Sequence, residues 1–415
     1  MKTKGVRLYG ANDVRTEEFL LPPIKNNEIL VKVVSDSICM STYKTVIQGT
    51  AHKRVPANID TNPILLGHEM AGDIVEVGSD YHNQFKAGEK FALQPALNYK
   101  GSMASPGYSY EYFGGASQYC IIPPEVMELG CLLPYNGEAY YAASLAEPMS
   151  CVIGGYNAMY HTKPGKYEHT MGIVQGGNLA ILAGAGPMGL GAIDYALHGP
   201  KQPAIVVVTD IDQTRLDLAQ KIFTQEEAHS CGVKLYFVNT STHGTKHLMD
   251  ITEGKGYDDI MVYAPIPSVL EDADSILAKD GCINFFAGPS NKDFYAKVNY
   301  YNVHYNASHI MGTTGGNVDD IKESIQLTEK GVINPAIMVT HVGGIDCIAE
   351  TTKNLPNIPG GKKLTYLHIE MPLTAIEDFE VLGKEDTRFK ELHTIVQENR
   401  GLWCAKAEKF LLEKF

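Results

Sequence analysis

Between residues 178 and 315 the chain repeats one rhythm: a short apolar run, a turn, and a stretch with apolar residues at helical spacing. The runs are LAILAG, AIVVVTD, KLYFVN, DDIMVYA, CINFFAG and SHIMGTT. Strands this short and this uniformly apolar are buried on both faces, and strands that alternate with helices build a parallel sheet covered on both sides. The expectation for this half is therefore α/β, a doubly wound parallel sheet.

The first run carries a ligand signature. LAILAG leads into Gly184-Ala185-Gly186-Pro187-Met188-Gly189, and an apolar helical stretch follows. Gly184 permits a tight turn, Gly186 lets backbone approach a pyrophosphate, and Gly189 lets helix and strand pack closely. Pro187 and Met188 complete the cofactor-binding turn. The second run ends in Asp210, at the spacing where an acidic side chain accepts hydrogen bonds from a ribose diol. A carboxylate there repels a 2′-phosphate, so NAD is preferred. Arg215, five residues on, is placed to stack on adenine or to meet a 2′-phosphate, which leaves NADP open. The plainer role for Asp210 is a helix N-cap at the strand exit.

The N-terminal part has a different texture. Short alternating or β-branched segments at 28–34, 72–77, 90–93 and 118–122 are separated by Gly, Pro and Asn, the punctuation of a small β-barrel. One helix is expected over 138–149. After the βαβ block a helix over 318–330 precedes a β-like stretch at 333–341. From Ala375 the chain is charged and amphipathic, with 388–399 the clearest helix, and reads as a helical appendage. Barrel-like segments on both sides of the βαβ block indicate one domain interrupted by another.

Within this first part, Cys39, His68 and Glu147 supply a thiol, an imidazole and a carboxylate on loops or element ends. A catalytic zinc takes three such ligands and keeps a fourth position open. Glu69 is a further carboxylate, either a direct ligand or a group that tunes the site from behind. Singly, Cys39 reads as a small buried hydrophobe and His68 as a satisfied core histidine. Beside Gly67-His68-Glu69 and Glu147-Pro148 the metal reading is the stronger.

Composition removes other classes. With Lys+Arg 35 against Asp+Glu 48, a formal charge of −13, the chain is ill suited to a nucleic acid backbone. No secretory signal or membrane span is visible. The eight cysteines are scattered with no Cys-x-x-Cys pair, which fits a reducing cytoplasm.

These motifs are met together in one family. Cys39-Met40-Ser41, GHEMAGDIVEVGSD from Gly67, FGGASQYCIIP from Phe113, AEP at Ala146, LAGAGPMGLGA from Leu182 and VVVTDID from Val206 resemble the zinc-dependent medium-chain alcohol and polyol dehydrogenases. The resemblance runs to about Leu364. It implies a GroES-like β-barrel catalytic domain over 1–154, completed by 334–374, a Rossmann domain over 155–333, and an added helical segment over 375–415. It makes Cys39 and His68 zinc ligands, with Glu69 or Glu147 the carboxylate ligand, and Ser41 the hydroxyl that passes the proton. A histidine often relays protons at the position held here by Lys44. Relatives with a structural zinc carry four clustered cysteines in a lobe that in this chain, 94–118, has none, so one catalytic zinc and no structural zinc are expected. Relatives form dimers and tetramers, and a homo-oligomer is the corresponding expectation.

A carboxylate in place of a second cysteine resembles the polyol branch. The run VVSDSICMSTYKTVIQGTAHKRVP and the cysteine-free lobe are most similar to L-sorbose 1-phosphate reductases. That resemblance implies a phosphorylated sugar substrate and interconversion of L-sorbose 1-phosphate with D-glucitol 6-phosphate. Lys44, His52, Lys53 and Arg54 form a cationic cluster in an acidic chain, and Lys53 and Arg54 are the candidate phosphate ligands. A solvated surface loop explains the same charges equally well. Another zinc polyol or threonine dehydrogenase would share every metal and cofactor residue. A dinucleotide-binding sensor without chemistry would have no use for the metal set.

Overall fold

The structure, a computed structural model, describes all 415 residues. The chain divides into two compact units, Met1–Glu147 with Met338–Phe415, and Pro148–Ile337.

The first unit is organised by the strand Ile29–Ile38, which pairs antiparallel with Ala71–Val77, Tyr119–Ile122 and Lys362–Tyr366. It is buried along nearly its whole length, as its β-branched, apolar sequence requires. Outward from it the sheet continues through Lys90–Leu93 to Leu132–Pro134 on one side. On the other it continues through Val339–Gly344 to Thr374–Ala375. A second sheet of Asp13–Leu20, Lys2–Gly10 and Ile64–Leu65 is joined to the first by the Gly5–Ser117 bridge. The four segments expected as strands at 28–34, 72–77, 90–93 and 118–122 are strands of this unit, the first running on to Ile38.

The single helix expected over 138–149 is two, Tyr140–Ser144 and Ala146–Ala158. Pro148 is the reason. It has no N–H to donate to the carbonyl of Ser144 and its ring clashes with a continuous turn, yet it is well tolerated in the first turn of a new helix. The stretch at 333–341 is β only from Val339, because Pro335 opens a short 3-10 turn over Pro335–Met338.

In the second unit all six apolar runs form strands of one parallel sheet. In space, the strands lie in the order third, second, first, fourth, fifth, sixth: Lys234–Asn239, Ile205–Asp210, Asn178–Leu182, Tyr257–Val262, Leu277–Phe285 and His309–Met311. This is the doubly wound order in which the chain reverses direction beside the first strand. One face packs Ala180, Leu182, Val207, Ile260 and Ile283 against Leu248, Leu270 and Ala273 of the covering helices.

The C-terminal residues form the helices Phe379–Leu382, Thr387–Glu398 and Ala405–Lys414 and belong to the first unit. Phe379, Leu392, Trp403, Ala407 and Leu411 are fully buried, so the tail contributes core rather than a solvated fringe. No helix of the chain is long and apolar enough to cross a membrane. Trp403→Ala is expected to lower the urea-unfolding free energy by about 3–5 kcal/mol, the usual loss for emptying a buried aromatic site. A change under about 0.5 kcal/mol, the range of an ordinary surface substitution, would mean that the tail is not part of the core.

Candidate metal and dinucleotide sites

The central strand of the first unit delivers Cys39. The residue follows Ile38 directly and stands at the N-terminus of the helix Met40–Gln48. His68 and Glu69 lie between Ile64–Leu65 and Ala71–Val77, both buried. Gly67 makes their turn. It sits at φ 85°, and a Cβ there would run into the Asp36 carboxylate and the backbone at Gly115 and Ala116. Only glycine brings His68 and Glu69 this close to Cys39. One donor atom from each of these three residues lies within 4.8 Å of the others.

Around the cluster the polar contacts are dense. Ser41 Oγ donates to Cys39 Sγ at 3.0 Å and lies 3.3 Å from His68 Nε2. The Glu69 backbone N–H donates to Asp36 Oδ1 at 3.0 Å. Its carboxylate accepts hydrogen bonds from Ser37 Oγ and from Lys362 Nζ, an ion pair with both side chains buried. Burial alone would push Glu69 toward protonation, but the charges of Lys362 and His68 and the two hydrogen bonds hold it below the usual carboxylate range. Glu147, in the first turn of Ala146–Ala158, has the opposite fate: burial and the nearby Glu69 charge push it up to about 7. Burial likewise pushes the Cys39 thiol up, against the pull of Lys362.

This donor set fits zinc. Thiol, imidazole and carboxylate are the ligand types the ion prefers. His68 Nδ1 is buried without a hydrogen-bond partner. Burial raises the pKa of both Glu147 and Cys39, a shift that a divalent cation reverses by displacing their protons.

The cysteine-free segment at 94–118 packs directly on this turn. A Cβ on Gly107 would press on the Gly67 carbonyl at 2.7 Å, and the next residue, Tyr108, is 4% exposed. The Tyr108 ring lies 5.1 Å from that of His68 and stacks at 5.5 Å on His52. The Arg54 guanidinium sits over the same ring at 5.0 Å. Arg54 is half-buried and its Nε has no partner, whereas Lys53 is exposed. Burial and the charges of Arg54, Lys53 and Lys44 together depress the His52 pKa, so the four basic residues converge on one locality. Lys44 is half-buried on the helix Met40–Gln48.

In the second unit Gly184, Gly186, Pro187, Met188 and Gly189 form the turn from Asn178–Leu182 into the helix Pro187–His198. A Cβ on Gly189 would collide with the Gly184 backbone, which explains the close strand-to-helix packing. A Cβ on Gly186 would enter open space. No side chain caps this helix, so its first N–H groups remain for an anion. Asp210 ends the second strand and is buried, with Oδ2 accepting from Ala185 N at 3.3 Å and Oδ1 from Ile211 N at 2.8 Å. The N-cap of the following helix is Asp212, not Asp210: it accepts from Thr214 and Arg215 N–H groups. Arg215 is half exposed, with Nε 3.7 Å from Asp212 Oδ2. The turn and its acid fit a dinucleotide.

Sequence reading missed Lys362, Ser37 and Tyr108. A Lys-Lys pair opening a strand looks solvated, and nothing distinguishes Tyr108 from Tyr110 or Tyr112 in a tyrosine-rich loop.

Comparison with known proteins gives the family of both units. Residues 25–130 match the family model for the alcohol dehydrogenase GroES-like domain, and 187–330 that for zinc-binding dehydrogenase. The chain is 50% identical over 414 residues to a mannitol-1-phosphate 5-dehydrogenase of Aliivibrio fischeri, covering 99% of this chain and 98% of the relative. It is 41% identical over 410 residues to an L-sorbose 1-phosphate reductase of Klebsiella pneumoniae, covering 99% and 97%. Among solved structures, an alcohol dehydrogenase of Escherichia coli CFT073 complexed with NADH shares the fold. Its TM-score is 0.67 at 19% identity, over 88% of this chain and 99% of that one.

In metal-free protein, Glu69→Gln should strand the Lys362 ammonium in the interior and cost about 3–5 kcal/mol in urea unfolding. Adding Lys362→Met should recover most of that loss. A double variant as unstable as the single one would place the effect in lost packing instead of stranded charge.

Proposed function

This chain belongs to the zinc-dependent medium-chain dehydrogenases, in their polyol-phosphate branch, and we propose that it reduces L-sorbose 1-phosphate to D-glucitol 6-phosphate. It is an oxidoreductase of a family that works with zinc and a nicotinamide dinucleotide. The observation that carries the substrate class is the Arg54 guanidinium. In a chain of charge −13 it is half-buried over Tyr108, one ring away from His68, with its Nε unsatisfied. A cation in that position asks for an anion, and a planar guanidinium suits a phosphate. We group Lys53 and Lys44 with Arg54 as supporting charges; on this reading Lys44 steers the anion more than it relays protons.

Cys39, His68 and a carboxylate, Glu69 or Glu147, would hold a single zinc. When bound, zinc supplies Lewis acidity at a carbonyl oxygen and the nicotinamide supplies hydride. The chain's own contribution is positioning and a proton. Ser41 Oγ, bonded to Cys39 Sγ, gives its proton to the substrate oxygen as carbonyl becomes hydroxyl. Tyr108 walls this proton off from solvent. Glu69 stays charged against Lys362 and keeps the metal turn in place.

A second reading is favoured by the 50% identity to a mannitol-1-phosphate 5-dehydrogenase. The two substrates differ in geometry. In L-sorbose 1-phosphate the phosphate is on the carbon beside the carbonyl; in mannitol 1-phosphate it is at the far end of the chain from C5. We take the protein to act in the cytoplasm as a homo-oligomer, with NAD preferred because the Asp210 carboxylate disfavours a 2′-phosphate.

Arg54→Gln should raise KM for the phosphorylated ketose by about 10–100-fold, the loss of one or two charge-assisted hydrogen bonds. KM for the unphosphorylated sugar should not move. Equal effects on both sugars would remove Arg54 from phosphate recognition. A zinc chelator should abolish turnover while NADH binding, followed by nicotinamide fluorescence, persists; turnover that survives chelation would overturn the metal assignment. Asp210→Ser should shift the ratio of kcat/KM toward NADPH by about tenfold or more, the equivalent of one hydrogen bond to a charged group. A ratio that does not change would exclude Asp210 as the discriminating residue.

A further inference from the structure

The C-terminal helix Ala405–Lys414 sends one ionisable side chain into the first unit. Glu408 is 3% exposed and its carboxylate accepts three hydrogen bonds. Two come from the backbone N–H groups of Tyr140 at 2.6 Å and Tyr141 at 2.7 Å, the opening residues of the helix Tyr140–Ser144. The third comes from the Tyr366 hydroxyl at 2.9 Å, and that hydroxyl in turn accepts from Trp403 Nε1 at 2.8 Å. A carboxylate in the interior needs such a full set of donors, and here two of them are the orphan N–H groups of a helix start.

Both partners lead to the metal site. Tyr140–Ser144 passes through Leu145 into Ala146–Ala158, whose first turn carries Glu147. Ser144 Oγ is also 2.8 Å from Ser35 Oγ on the central strand. Tyr366 closes the strand Lys362–Tyr366, which begins with the lysine that pairs with Glu69. That strand is in register with the end of the central strand: Tyr366 faces Ser35, Thr365 faces Asp36, Leu364 faces Ser37. Ser37 bonds the Glu69 carboxylate, and Cys39 lies two residues further on. One side chain of the tail therefore grips the helix that brings Glu147 and the strand that brings Lys362.

We propose that Glu408, backed by Trp403, is a positioning residue for the metal site, setting the relative placement of Glu147, through the helix Tyr140–Ser144, and the Lys362 strand. The inference rests on the reading of Cys39, His68 and the carboxylates as a zinc site. It gives the C-terminal tail a role in the chemistry of the first unit.

The test uses full-length protein and measures the metal, not turnover. Zinc affinity is read by competition with a chromophoric chelator, and coordination geometry by the visible spectrum of the cobalt-substituted protein. Glu408→Ala is expected to weaken zinc binding by about 10-fold or more, the range for groups that orient ligands from behind, and to change the cobalt spectrum. Glu408→Gln, which keeps an oxygen for the helix N–H groups, should restore most of both. NADH affinity should stay at the wild-type value in each, since that site lies in the other unit. Should Glu408→Ala fail to fold, Trp403→Phe keeps an aromatic ring in the core, removes the N–H bond to Tyr366 with part of the indole, and should shift the same two readouts in the same direction. Lys406→Ala, on the same helix as Glu408, breaks an exposed ion pair with Glu398 of the preceding helix and should move neither. A folded Glu408→Ala or Trp403→Phe with wild-type zinc affinity and cobalt spectrum, even if less heat-stable, would overturn the proposal. Wild-type protein that binds neither zinc nor cobalt would instead bring down the metal-site reading beneath it.

Discussion

Two charges taken out of water at Glu69 and Lys362 set the terms for everything around them. Each ion alone in the interior would be penalised by several kcal/mol, and their attraction offsets this only where geometry and further hydrogen bonds complete the shell. The shell is complete on the carboxylate side: Ser37 and Lys362 bond the side chain, and Asp36 holds the backbone N–H. Its members come from three parts of the chain, the Gly67-His68-Glu69 turn, the end of the central strand, and a strand that arrives only after the second unit has been traversed. The pair thus makes the metal turn dependent on correct return of the chain.

That pair also divides the acidic groups of the site. Lys362 lowers the pKa of Glu69, while burial and the Glu69 charge raise that of Glu147. The two buried carboxylates are shifted in opposite directions, Glu69 down by its lysine and hydrogen bonds and Glu147 up by burial, the pattern that separates roles at reactive centres. Burial raises the pKa of the Cys39 thiol, in the same direction as Glu147. A divalent cation is the natural counterpart of such a cluster, because it favours the charged form of the groups whose pKa burial has raised.

The lobe without cysteines has a positive role of its own. Its glycine and proline content lets it fold down on the Gly67 turn, and this seats Tyr108 between His68, Ser41, His52 and Arg54. The aromatic ring links the metal cluster to the basic loop, so a cation distant in sequence from His68 and Glu69 stands within one ring of them.

Features governed by neighbouring residues were legible in the sequence: the six apolar strands, the glycine turn with its helix, and the body of the central strand, though not its last four residues up to Ile38. Each is dictated by local sterics, backbone hydrogen bonding or a period of two against 3.6. Where a local rule was overlooked, as with Pro148 in the expected helix over 138–149, the misreading was also local. The remaining features depend on long-range burial. Lys362 looks like a surface lysine until strand pairing brings it to Glu69, Tyr108 is one tyrosine among several until the lobe closes, and Glu408 belongs to a charged tail until Trp403 is buried beneath the sheet. Sequence determined which groups were available and the local frames that hold them. Tertiary structure decided which charge met which, because the strength of an ionic contact depends on the water excluded around it, and that is a property of the assembled chain.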